Sequence, residues 1–169
     1  MMERMIRLEM AHIEAVNLRR LVEDLTGLLA VDDPTDPALA RLTPSAYPGD
    51  EHASAEFAAL TRTDLLGRRA TDARAMLDGL APVADLDDEA DAMAQVTVDI
   101  TAAHVDSWLR TLAALRVIIA DRLGVIDDDD HDDDDDRFGV YDWLGFRLDS
   151  LVALADALDE YAEDPPTDD

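Results

Sequence analysis

Cysteine is absent from the 169 residues, and so is lysine. Without cysteine there is no disulfide framework, no thiolate metal site and no thiol chemistry. The seven glycines never gather into a glycine-rich loop, so no motif cradles a nucleotide phosphate. Ser45, Ser54, Ser107 and Ser150 lack the flanking glycines of a nucleophile elbow. His12, His52, His104 and His131 show no ligand spacing such as a pair at i and i+4. His12 and His104 stand near predicted helix starts, where packing or hydrogen bonding is the expected role. These absences point to a non-enzyme with no cofactor and no metal. No apolar run reaches the roughly 18 residues that cross a bilayer, and the N-terminus carries no signal pattern, so a cytoplasmic location is expected.

What is abundant is negative charge. Thirty-one Asp and nine Glu face 14 basic residues, all of them Arg, for a net charge of −26. Such a surface repels phosphate, which argues against direct binding of nucleic acid or an anionic membrane. A charged partner should be basic. With 48% hydrophobic residues the chain can build one domain with a substantial core, expected over 1–162.

The organising stretch is Thr101 to Leu123, where Val105, Trp108, Leu109, Leu112, Leu115, Ile119 and Leu123 keep to one helical stripe. Thr101 can cap its start, and Gly124 can take the left-handed conformation past its end. Alternation predicts a strand over Met5 to Glu9 and a second over Gln95 to Thr101. The two strand-helix units align at one offset, with Ile6, Leu8, Ala11, His12, Ile13 and Glu14 falling on Val98, Ile100, Ala103, His104, Val105 and Asp106. That weak repeat suggests that the strands pair, in a direction left open.

Helical spacing predicts further helices over Met10 to Ala30, Pro37 to Leu42 with Asp36 as cap, Glu51 to Leu60 with Phe57 and Leu60 inward, and Thr63 to Leu80. Asp64, Arg68 and Asp72 are spaced for ion pairs on the outside of the last of these. Pro44 to Asp50, carrying Tyr47, reads as a turn, and Pro82 to Met93 reads as a surface loop. Val140 to Ala162 should form the final helix and pack on the central one, with Val140, Leu144, Leu148, Leu151, Ala155 and Leu158 on its stripe. The tail 163–169 is expected to be disordered.

Between the last two helices lie Asp127, Asp128, Asp129, Asp130, Asp132, Asp133, Asp134, Asp135 and Asp136, interrupted by His131. Dense like charge without an apolar group predicts a disordered, solvated loop. An EF-type calcium loop needs Gly at its sixth position and Glu at its twelfth. Starting at Asp127 those positions hold Asp132 and Phe138, at Asp130 they hold Asp135 and Tyr141, and at Asp134 they hold Gly139 and Gly145. No register fits. The block reads instead as an electrostatic lure for a basic partner. Trp143 and Phe146 lie off the stripe of the last helix, so one of them can sit at its margin as a contact residue, although core is the commoner place for such rings.

Four stretches carry a family resemblance: DPALARLTPSAY from Asp36, AEFAALTRTDLLGRRATDARAML from Ala55, AAHVDSWLRTLAALRVIIADRLGV from Ala102, and VYDWLGFRLDSLVAL from Val140. With the acidic insert, they resemble an actinobacterial family of helical proteins, first catalogued as a domain of unknown function and often named oxidative stress transcription regulator AosR. The resemblance implies a regulator that acts through an alternative sigma factor rather than by reading DNA. The chain departs from what the family name implies in having no thiol to sense an oxidant. Oxidation of Met5, Met10, Met76 or Met93 would be damage rather than signal.

Together these readings predict a mainly α fold, a helical bundle around a long central helix with a small two-stranded β-sheet. The predicted role is protein-protein contact with a sigma factor or RNA polymerase. The contact residues are the nine aspartates of 127–136 with Trp143 and Phe146. An adaptor with some other partner is the alternative, and a homodimer stays open.

Overall fold

The computed structural model describes residues 3–44, 49–84 and 91–163. Tyr47 and its turn, the stretch 85–90 and the tail from 164 onward lie outside the described residues. The fold is mainly helical with one small sheet, as the periodicity predicts. Strands β1 (Met5–Ala11) and β2 (Gln95–Thr101) pair antiparallel, with Met5 opposite Thr101 and Ala11 opposite Gln95. This settles the direction. Ile6, Leu8 and Met10 of one strand and Val98 and Ile100 of the other form the buried face.

Each strand runs into a helix: β1 into α1 (His12–Val31), and β2 through a 3-10 turn, Ala102–His104, into α5 (Val105–Leu123). Thr101 does not cap α5 with its side chain; its hydroxyl lies 3.3 Å from His104 Nδ1. Gly124 does end α5 in the left-handed conformation, at φ 77°. His12 is buried at the start of α1, and its backbone amide donates to the Ala94 carbonyl.

Asp36 caps the short helix α2 (Pro37–Leu42) by accepting from the Ala38 amide at 2.9 Å. The two helices predicted over 51–80 are one, α3 (Glu51–Gly79), and Leu60 is not core but 77% exposed. Thr61 and Thr63 resemble a helix boundary in sequence. In the fold the helix runs on through them: Thr61 Oγ1 donates back to the Phe57 carbonyl within the helix, and Arg62 reaches Asp32 at the end of α1. Part of the predicted surface loop is also helical, as α4 (Ala81–Ala84).

The last helix is α6 (Gly139–Glu163). It packs on α5, which also meets α1, α2 and α3 and is the central element. Trp108, Leu112 and Leu115 of α5 face Leu18 and Val22 of α1, Met76 and Leu80 of α3, and Leu144 and Leu151 of α6 within one buried cluster. Burial of each of the larger side chains contributes about 2–3 kcal/mol. Asp72, expected outside, is buried between α3 and α5, where it takes Ser107 Oγ at 2.9 Å and both forks of Arg110 at 2.8 and 2.9 Å.

Candidate functional site

The acidic block is not featureless. It contains two short 3-10 turns, Asp128–Asp130 and Asp136–Phe138, because aspartate side chains bond nearby backbone amides. Asp130 accepts from the amides of Ile126 and Asp127, which holds its carboxyl below the usual range. Asp135 accepts from the Arg137 guanidinium and amide, with the same effect. Backbone donors therefore shape a segment that like charge alone would extend.

The block is also anchored. Val125 and Phe138, on either side of it, are buried with Ala120 in a small second cluster, against which Leu123 and Tyr141 pack. Arg41 of α2 donates to the Val125 carbonyl at 3.0 Å and pairs with Asp121. His131 lies edge-on to the Phe138 ring, with centroids 4.9 Å apart. Its Nε2 lies 2.6 Å from Asp142 in the first turn of α6, and its Nδ1 lies 3.3 Å from Asp133.

His131, Asp133 and Asp142 are close enough to share a cation, their ligand atoms lying within 4.8 Å of one another. Each imidazole nitrogen faces a different carboxylate, so the ring bridges Asp133 to Asp142 and ties the acidic loop to α6.

One turn along α6 from Asp142, Phe146 is 61% exposed, whereas Trp143 is half-buried. Trp143 Nε1 donates to Glu14 Oε1 of α1 at 2.6 Å, and Arg147 Nη2 donates to Glu14 Oε2 at 2.7 Å. The Arg147 guanidinium carbon stands 5.8 Å from the Trp143 ring and 5.5 Å from that of Phe146. Burial would raise the Glu14 carboxyl, but the Ala11 amide, the indole and Arg147 outweigh it and hold the group below its usual range. A cleft of about 430 Å³ opens beside this triad, lined by Glu14, Asn17, Arg20, Leu21, Gly139, Val140 and Trp143.

Of the predicted contact residues, the acidic block is thus tied through His131 to Asp142, one helical turn before Phe146. Phe146 is the exposed aromatic, and Trp143 is chiefly a structural tie. Sequence reading missed Glu14, Arg147 and His131 as the connectors; the i, i+4 spacing of Trp143 and Arg147 is the local trace they leave. The hydroxyls of Ser107 and Ser150 donate to Asp72 and to the Phe146 carbonyl, not to a histidine base.

A family described as Domain of unknown function (DUF2017) matches residues 2–155, from the first strand through most of α6. The chain belongs to this family. The DUF2017 match takes in the sheet, the central helix, the acidic block and Phe146. No curated protein matches the chain. No solved structure matches it either.

Proposed function

We propose that this DUF2017 protein is a non-enzymatic transcription regulator of the cytoplasm that works by protein contact, with a sigma factor or RNA polymerase as its partner. The observation that supports this reading is the tie between His131 and Asp142, which keeps the aspartate block beside the helical turn that exposes Phe146. An aromatic anchor next to dense negative charge suits a basic, partly apolar protein surface. DNA-binding proteins carry such surfaces, while a chain at −26 is itself poorly suited to duplex DNA.

The test is capture of a sigma factor or polymerase on the intact chain, compared with Asp129→Asn/Asp132→Asn/Asp134→Asn and with Phe146→Ala. These positions are exposed, and asparagine keeps the Asp132 acceptor that bonds the Asp134 amide, so folding should survive. Capture should weaken in both variants and fall with added salt. Failure to recover either partner at low salt would remove the transcription reading.

The alternative is an adaptor whose acidity serves only solubility. Phe146 and Leu154, both exposed on neighbouring faces of α6, are the apolar residues that such a contact would use. Salt-insensitive capture of a different protein, lost in Phe146→Ala alone, would select it.

A further inference from the structure

Apart from the acidic block, α3 and α5 border a cleft of about 680 Å³ whose lining includes Leu65, Arg68, Arg69, Asp72, Arg110 and Ala113. Three of the chain's 14 arginines converge there. The lining carboxylate, Asp72, is already taken by Arg110 and Ser107. Arg68 pairs with Asp64 on the exposed side of α3, which leaves its charge at the mouth of the cleft only lightly engaged.

Arg69 is the unusual member. It is half-buried, its Nε is buried without an acceptor, and its Nη2 reaches only the Leu42 carbonyl at 3.4 Å. Among the described residues no carboxylate lies within 4.0 Å of it. Among the described residues Arg116, also half-buried, likewise has no carboxylate within 4.0 Å but stands 4.3 Å from the Tyr141 ring, a contact not found there for Arg69. Burial holds the Arg69 guanidinium below its usual range even with Asp72 nearby. A cation desolvated without a direct counter-ion is costly, and an incoming anion would relieve that cost.

We propose that the α3–α5 cleft binds a small-molecule oxoanion, phosphate or carboxylate, on the guanidinium groups of Arg69 and Arg68, with Arg110 beside them held by Asp72. Two oxygens of one such group match the planar forks of arginine. Leu65 and Ala113 supply an apolar wall for the body of the ligand. The site is independent of the acidic block and Phe146, and its success or failure leaves the transcription reading untouched.

The test is an NMR titration of the intact protein with inorganic phosphate and, separately, with malonate, each at constant ionic strength balanced by sodium chloride. Saturable shifts confined to the amides of 65–72 and 107–113 are expected with at least one probe, and the stronger probe tells phosphate from carboxylate. Arg69→Gln should weaken that binding about tenfold or more, the scale of a lost charge-assisted bond. Because Arg69→Gln removes a half-buried group, Arg68→Gln is the companion variant: 75% exposed, it should fold as the parent does and still weaken binding severalfold. No saturable shift with either probe, or equal affinity in parent and Arg68→Gln together with a folded Arg69→Gln, would overturn the proposal.

Discussion

Glu14 joins three parts of the chain through one carboxylate. It accepts from the Ala11 amide where β1 becomes α1, from the indole of Trp143 and from Arg147. Glu14→Ala strands a mostly buried guanidinium and an indole donor, so a loss of about 2–3 kcal/mol is expected. Glu14→Gln keeps one acceptor oxygen but loses the charge and turns an NH2 toward the other donors, so it should also destabilise, by less than Glu14→Ala. Urea unfolding of the two variants checks the order. The pH dependence follows from the same group together with Asp36 and Asp72, all held below their ordinary values. Arg122 is the chief cause at Asp36, and Arg110 at Asp72. Lowered folded values mean that the unfolded chain binds protons first. Their stabilisation is therefore complete above the ordinary values of 4.5 for Glu and 3.8 for Asp, and is lost as pH falls through the lower folded values. Thermal melts between neutral pH and about pH 3 should show that loss, with a smaller effect in Glu14→Gln.

Among the elements, two glycines in α3 have opposite roles although both lie in one helix. A Cβ at Gly79 would stand 3.0 Å from Trp108 Cζ2, and the indole is locked in the core. Gly79→Ala should cost about 1–3 kcal/mol through overpacking. At Gly67 a Cβ meets nothing within 4 Å, so Gly67→Ala should stabilise by about 0.5–1 kcal/mol through helix propensity alone. Calorimetry on the pair separates packing from propensity within a single helix. The same distinction explains what was readable in advance. Stripes such as Val105, Trp108, Leu112 and Leu115 are visible in one dimension because 3.6-residue spacing puts them on one face. The Arg62–Asp32 pair that ties α3 to the end of α1 is not visible, because its partners stand thirty positions apart. Leu60 looks like core for the same reason: hydropathy does not tell which face of a helix finds a neighbour.

At the scale of the molecule, the charge of −26 is a self-repulsion that the core must overcome. Salt should therefore raise the thermal midpoint from about 10 mM to about 150 mM, as the screening length drops from about 30 Å to about 8 Å, and then level off. Partner capture should move the opposite way over that range, so the two signs separate folding from recognition in one buffer series. By itself the sequence determined the helical class, the two strands, the cap at Asp36 and the stop at Gly124. Each of these depends on spacing or on the backbone preference of a single residue, and neither needs a distant partner. It also marked Asp127 to Asp136, Trp143 and Phe146, since charge density and off-stripe aromatics are local properties. Only the tertiary structure decided that the strands run antiparallel, that Asp72 is buried under Arg110, that His131 meets Asp142 and that Glu14 takes Trp143 and Arg147. Those outcomes are set by contacts between positions 11 to 129 apart, where charge, shape and burial are resolved jointly and no local pattern specifies the partner.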